Sequence, residues 1–420
     1  MQDETRQAPQ PGPQASSLTI LLPYWRVTLA AFLGWFLDAF DQVALLLCLP
    51  DMGHSFGVDL EAMGVVVTAQ SIGRAFGNTG WGWLADRYGR RLTFMLGIIW
   101  FAAFSGATAV AWSYVMLVVI QFLFGIGFGG EWTASAALLM ESVPARARSL
   151  ASALMMSGYE VGFFVAAGAQ AIILPHYGWH AMFLLGILPA ILAIFIRIGV
   201  PESPVWLKMR RSPEARMARV SGGMFRLDGA AIQAIAFMAV LQFQNAALYA
   251  FYPTLLRTEH HLTPGQLFPM IAAYCVGSLM GKPICGALAA RFGDRRVLLV
   301  YLVLTLVVFV PFVRAASPML MVVTAFAVGG VGAAVWAVVP HFLSQRFPSA
   351  TRSFGMGTSY AAAAGGQALS GLVIPWLALR LDLGTAMIAS VFAGTTVVAA
   401  ILLYRPSTLP GLHMEGEVTE

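Results

Sequence analysis

The sequence predicts an all-α membrane protein with twelve transmembrane helices in two six-helix halves. Three observations predict it. Of 420 residues, 58% are hydrophobic and only 11% charged, whereas a soluble domain has about 25% charged residues to cover its water-facing surface. Apolar segments of span length recur from one end of the chain to the other. The second half also repeats the first: "GWLADRYGRR" from Gly82 returns as "GALAARFGDRR" from Gly286, an offset of 204 residues.

Residues 1–25 open with "MQDETRQAPQPGPQASS". They are polar, rich in Pro and Gln, and lack the basic start and short apolar core of a signal peptide, so they read as a disordered cytoplasmic tail. Residues 26–200 form the first half. Its predicted spans are 26–50, 61–84, 92–111, 114–142, 149–174 and 178–200. Residues 201–229, "PESPVWLKMRRSPEARMARVSGGMFRLDG", are basic, broken by Pro and Gly, and too short for another domain. They read as a cytoplasmic linker. Residues 230–404 form the second half, with spans at 230–257, 264–289, 297–316, 318–346, 353–378 and 384–404. Residues 405–420 are a second cytoplasmic tail. Each span is long enough to cross a bilayer core as a helix.

The net charge of +5 does not point to nucleic acid, because of where the charges fall. Arg87, Arg90, Arg91, Arg146, Arg148, Lys208, Arg210, Arg211, Arg216, Arg219 and Arg226 all lie in or beside loops on one side. So do Arg291, Arg295, Arg296, Arg346 and Arg352. The loops on the other side hold only Arg257, Arg314 and Arg380. By the positive-inside rule both termini are cytoplasmic, in a multi-pass protein of the cell inner membrane. Cys48, Cys275 and Cys285 lie within spans and show no CxxC spacing. No disulfide framework, metal site or cofactor is indicated, and free Cys packs as a small hydrophobe. The glycines of "GIGFGG" follow no strand and sit inside an apolar span, so they serve close helix packing rather than a dinucleotide. With no GxSxG, HExxH or P-loop, the chain is not read as an enzyme.

The 204-residue offset also relates Pro144 to Pro348, Arg148 to Arg352 and Trp132 to Trp336. The halves are therefore parallel repeats about an axis along the membrane normal. The pattern Gly-x-Leu-Ala-Asp-Arg-x-Gly-Arg-Arg at Gly82 to Arg91 resembles the signature loop of the major facilitator superfamily, with a weaker copy at Gly286. Within it, "FLDAFD", "GRAFGNTGWGWLADRYGRR" and "GIGFGGEWTASAALLMESVPARARS" resemble the sialate:proton symporter group and related organic-acid (carboxylate):proton symporters. The resemblance implies two six-helix halves with a substrate site between them near the midplane. It also implies a monomer. Two departures stand out. Gln121 replaces an Arg found four residues before the Gly-x-Gly of the fourth helix in many members, and the linker has no room for the two extra helices of many sialic acid permeases.

Charges within the spans fall near one depth. Asp38 is 12 residues in from Arg26, ~18 Å at 1.5 Å per residue. Arg74 is 12 residues from Asp86, Glu131 is 13 from Pro144, and Glu160 is 11 into its span. All lie near the middle of a core ~30 Å thick. Asp41 is one turn further out, on the same face as Asp38. Ionisable groups at that depth are costly and rarely face lipid. Two close carboxylates do not readily both carry charge in a low dielectric, so one can hold a proton. Asp38, Asp41, Glu131 and Glu160 are the proton-coupling candidates. The alternative is a buried ion-pair network that only fixes packing, with Arg74 neutralising Glu131 or Asp38.

The repeat maps Asp38 to Gln242, Asp41 to Asn245, Arg74 to Ser278, Glu131 to Val335 and Glu160 to Ala364. The first half thus holds the titratable groups. Arg74, Gln242, Asn245, Tyr249 and His341 are the substrate-binding candidates, with Gln244 and Tyr252 on the same helix. Lys282, a turn above Gly286, is expected to snorkel to the cytoplasmic surface. By the resemblance, Asp86, Arg87, Arg90, Arg91, Glu141 and Arg148 form a conformational latch. The function expected is secondary active, proton-coupled uptake of a small organic acid anion by alternating access: a monocarboxylate, an aromatic acid or a sialic-acid-like acid. Its partners are that anion, protons and the lipid bilayer. The alternatives are a carrier or exporter of a neutral or cationic solute, such as a sugar or drug, or a non-transporting nutrient sensor.

Overall fold

The computed structural model of the chain describes residues 16–211, 225–262 and 264–406. Arg216 and Arg219, most of the 1–25 and 405–420 tails, and the middle of the linker lie outside them. The described residues are almost wholly helical. Before the first long helix come a short helix, Ser17–Leu21, and a 3-10 turn, Leu22–Tyr24, in the stretch expected to be a disordered tail.

The first half holds α1 (Trp25–Phe56), α2 (Leu60–Tyr88), α3 (Arg90–Ala109) and α4 (Tyr114–Ser142). Helix continues over Ala145–Ile198, but Gly178 breaks it with φ 71° and ψ 177°. Two helices result, α5 (145–177) and α6 (179–198). The linker adds a short helix, Pro204–Arg211. The second half begins with α7 over Gly229–Thr258, which contains a π-helical turn at Ala246–Ala250. It continues with α8 (Pro264–Phe292) and α9 (Asp294–Arg314). Next is α10 over Pro318–Ser344, which tightens to 3-10 at Ala333–Val338. It ends with α11 (Arg352–Ala378) and α12 (Leu383–Leu403). Helix starts are set by short polar caps. Asp59, Ser113, Asp228, Ser317 and Asp382 each accept a backbone N–H from the first turn, filling donors that a helix start leaves free.

Among the described residues, ten helical stretches are long and apolar enough to cross a membrane. α2 is as long but carries more polar residues, and α6 belongs to a shorter apolar stretch. Both complete the twelve. The turns joining 88–90, 142–145, 292–294 and 344–352, with residue 25 and residue 403, define one end of the bundle, called the basic end below.

The repeat is visible atom by atom. Gly89 and Gly293 turn the chain from α2 to α3 and from α8 to α9 at φ 117° and 87°, a region where a Cβ is penalised. A Cβ on Gly73 would lie 2.1 Å from the Phe122 carbonyl, and one on Gly277 2.1 Å from that of Phe326. Gly125 meets Gln70 as Gly329 meets Tyr274. These pairs share the 204-residue offset. They bring α2 against α4, and α8 against α10, at backbone contact, the close approach small residues allow in lipid. Gly125→Ala and Gly329→Ala are therefore expected to cost about 1–3 kcal/mol through overpacking. Gly64→Ala, which has open space around its Cβ, should leave thermal unfolding in detergent unchanged. Equal melting of all three variants would refute the packing account.

Candidate functional site

At the basic end the halves are tied by buried charge. Glu141 at the end of α4 accepts from Arg90 Nε at 3.1 Å and from Arg352 Nη1 at 2.7 Å. All three side chains are fully buried. Arg90 also donates to the Ser349 carbonyl at 2.7 Å and pairs with Asp86 at 2.9 Å. Asp86 accepts from the backbone N–H groups of Ser353 and Phe354, at 3.1 and 2.8 Å. It thereby fills free donors at the start of α11. The linker joins in. Ser203 donates to Glu141, Glu202 accepts from the N–H groups of Arg90 and Arg91, and the Trp206 indole donates to the Asp86 carbonyl. Of the residues expected in a latch, Asp86, Arg90 and Glu141 are in contact with one another. Arg91 contributes its backbone. Arg148 donates to the Val143 carbonyl at 3.0 Å, inside its own half. Arg87 stands apart, exposed over the rings of Trp83 and Tyr88.

A second contact runs between α5 and the second half. Ser149 donates to Asp294 at 2.8 Å, and Asp294 meets His341 Nδ1 at 2.6 Å. His341, a substrate-binding candidate, is engaged within the protein. It sits in the last turn of α10 at the basic end, engaged by Asp294, Ser149 and Gln345. The reason is position: Val339–Ser344 is the terminal helical segment after Pro340, well short of mid-depth. Further in, Ser152 donates to the Ala337 carbonyl.

At mid-depth Glu160 of α5 pairs with Lys282 of α8. Lys282 Nζ lies 2.6 and 2.7 Å from the two Glu160 oxygens and 3.0 Å from the Met156 carbonyl. Ser278 donates to Glu160 at 2.7 Å. Lys282 is 3% exposed, so the snorkelling expectation is wrong. A buried carboxylate opposite it offers a better partner than the headgroup region.

Beside this pair an aromatic layer crosses the bundle. Tyr360 of α11 lies 3.9 Å from Trp132 of α4, centroid to centroid, 6.2 Å from Trp35 of α1 and 6.3 Å from Trp336 of α10. Trp35 touches Tyr159 of α5 at 5.7 Å. The Arg74 guanidinium lies over the Phe128 ring at 4.1 Å and 5.8 Å from the Tyr360 ring. Asp38 interacts electrostatically with Arg74 and with Asp41. It is completely buried, and among the described residues neither of its oxygens accepts a hydrogen bond. Asp41 turns the other way. Its Oδ1 accepts from Ser105 of α3 at 3.1 Å and packs on Gly186 of α6, while its Oδ2 is unbonded. The side chain of Glu131 lies outside the described residues.

In the second half Gln242 donates to Gln367 of α11 at 3.2 Å, and Tyr249 stacks on Tyr274 at 5.0 Å. Asn245 is half-buried and ends the α-helical part of α7, just before the π-helical turn. One mapping needs correction. Gly162 meets the Phe36 carbonyl, but Gly366 meets that of Ala239. In α1 against α7 the structural offset is thus 203, and the counterpart of Asp41 is Gln244, which donates to Thr395 at 2.8 Å. The counterpart of Asp38 is then Leu241.

The cross-half bonds run from the basic end to the level of Glu160. Beyond it α11 is bare. Residues 364, 365, 367, 368, 369, 371 and 372 are exposed, an arc of roughly 200° at ~100° per residue. That is more than one lipid-facing side needs. The bundle is closed at the basic end and parted between α2 and α11 at the other.

The Major Facilitator Superfamily model matches residues 31–241 and again 234–418. The chain belongs to the major facilitator superfamily. It is a multi-pass membrane transport protein rather than an enzyme. It aligns along its length with a solved proton:xylose symporter, XylE, with a TM-score of 0.78 at 18% identity, over 95% of this chain and 99% of that one. The probable 4-methylmuconolactone transporter of Cupriavidus pinatubonensis is 31% identical over 79% of this chain and 78% of its own length. The sialic acid transporter NanX of Escherichia coli is 26% identical over 94% and 96%. The 4-hydroxybenzoate transporter PcaK of Pseudomonas aeruginosa is 36% identical over 48% and 45%. The superfamily member described here thus sits among relatives named for organic acids. Sequence reasoning missed three of its site elements: Lys282 as a buried partner, the aromatic layer, and the linker residues Glu202 and Ser203.

Proposed function

We propose that this transporter carries a small organic acid anion into the cell together with protons, by rocking its halves 26–200 and 230–404 about a mid-depth site. Asp38 carries the reading. A fully buried carboxyl, unbonded on both oxygens, is costly to hold charged, while Arg74 beside it favours the charged form. Such a group can gain a proton from one side and lose it to the other. Arg74 supplies a planar, permanent cation for a carboxylate, and the Trp35, Trp132 and Tyr360 faces suit an unsaturated ring. Gln242, Asn245 and Tyr249 supply polar contacts from α7, and Asp41 and Glu131 are the further proton-coupling candidates of the same half.

Arginine-rich loops assign the basic end to the cytoplasm of the inner membrane. The closed basic end then corresponds to an outward-facing state. The Asp86, Arg90, Glu141 and Arg352 network is the latch that must part for inward release. The names of the relatives, covering 4-methylmuconolactone, 4-hydroxybenzoate and sialic acid, support an organic acid.

Counterflow in proteoliposomes tests this directly. A panel of aromatic carboxylates, short monocarboxylates, sialic acid, sugars and amines should give exchange with carboxylates, accelerated when the outside is acidic. Exchange confined to sugars or amines, or indifferent to a pH gradient, would sink the proposal.

A further inference from the structure

The two interfaces between the halves are copies of each other with one residue changed. A Cβ on Gly286 of α8 meets the Ser149 carbonyl and Leu150 Cα of α5. A Cβ on Gly82 of α2 meets the Ser353 carbonyl and Phe354 Cα of α11. Both contacts obey the offset of 204, so α8 on α5 and α2 on α11 share one register. In the first interface Lys282 and Ser278 of α8 hold the Glu160 carboxylate. The same register in the second interface sets Asn78 and Arg74 of α2 against Ala364 of α11. The cation is kept, moved by one turn, and the carboxylate is gone.

Three observations mark that place as built for a ligand. Ala364 and Gly365 are exposed, and a Cβ on Gly365 would meet nothing within 4 Å, although the two helices touch at Gly357 and Asn78 two turns away. Arg74 reaches towards the gap over Phe128 and Tyr360. Asn78 is 2% exposed, and its amide oxygen has no hydrogen-bond partner among the described residues.

We propose that the carboxylate of the transported anion sits between Arg74 and Ala364, where the protein's own Glu160 carboxylate sits in the other interface. Ala364 is the specificity-determining residue, because its missing side chain leaves the place to the substrate. The inference rests on the organic-anion reading above and adds the atom-level position. It also accounts for the asymmetry of the halves: one interface is closed by an internal salt bridge, and the other is completed by the cargo.

The test places a carboxylate at residue 364. Ala364→Glu should pair with Arg74 and raise the KM for the anion about 10-fold or more, as expected for losing a charge-assisted contact. Ala364→Gln, of nearly the same size, fills the place without the charge and should raise the KM clearly less than Ala364→Glu does. Thermal unfolding should show Ala364→Glu at least as stable as the parent. If that variant does not fold, Ala364→Cys in folded protein answers the same question. An anionic sulfonate-bearing thiol reagent should block transport, a neutral methylating one should not, and the anion should protect against both. The native cysteines are buried and contribute little background. An unchanged KM in Ala364→Glu overturns the placement, as does equal loss in Glu and Gln or equal block by both reagents. If the parent moves no organic anion at all, the functional reading fails first, and that result is separate from these.

Discussion

Glu141→Gln is expected to open the basic end without ligand. The carboxylate bridges Arg90 and Arg352, each fully buried. Asp86 still neutralises Arg90 in the variant, but Arg352 keeps only the carbonyls of Ser344 and Phe347. Leaving a buried guanidinium without its counter-charge costs about 3–5 kcal/mol. That is a shift of about 2 to 3.5 decades in the ratio of closed to open forms. Asp86→Asn should do less, about 1–3 kcal/mol, because Arg90 keeps Glu141 and one amide oxygen still accepts from α11. Ser152 is buried between the halves. A thiol introduced there by Ser152→Cys should become reactive to reagent from the basic side in the order Glu141→Gln, Asp86→Asn, parent. The double change Glu141→Gln with Arg352→Gln removes both members and should restore much of the expression lost in the single variant. If the introduced thiol is equally protected in all three backgrounds, the network is a folding element and not a latch.

The parts legible in the sequence are those with a period or a copy. Twelve spans follow from apolar length, and the Gly89 and Gly293 turns follow from a motif written twice. Asp86, Arg90 and Glu141 can be drawn together because the family resemblance groups them and the positive-inside rule accounts for neither Asp86 nor Glu141. Lys282 misleads for a physical reason. One lysine near the end of an apolar span looks the same whether it rises to the headgroups or meets a carboxylate 122 residues away. Packing decides, and packing is not local. His341 reads as too deep because nothing in "VVPHFLSQRFP" signals where a helix tightened to 3-10 at Ala333–Val338 ends. The Trp35, Trp132, Trp336 and Tyr360 layer comes from four helices, each of which offers only one more apolar residue to a reader of sequence. The single-residue slip between α1 and α7 is likewise silent. It leaves both patterns apolar and moves the partner of Asp41 from Asn245 to Gln244 and that of Asp38 from Gln242 to Leu241.

Asp38→Asn is expected to abolish proton-driven accumulation and spare exchange. The amide has the shape of the carboxyl, so its place beside Tyr159 and Tyr360 should survive, and the substrate should still find Arg74. What disappears is a group that can alternate between neutral and charged. Counterflow needs only the loaded carrier to reorient, so it should persist. Net uphill transport needs the proton to be taken up and released in each cycle. One pH unit is worth about 1.36 kcal/mol per proton, or about tenfold accumulation. Across an inward gradient of one unit, the accumulated ratio should therefore fall from about ten to about one in Asp38→Asn. Asp41→Asn should have a milder effect, because its Oδ1 lies on Ser105 and Gly186 inside the first half and an amide oxygen can accept the same bond. Should Asp41→Asn lose accumulation while Asp38→Asn keeps it, the proton carrier is the inner carboxyl and the central one is structural. Should the double variant still concentrate substrate, neither aspartate carries the proton and Glu131 becomes the next group to test.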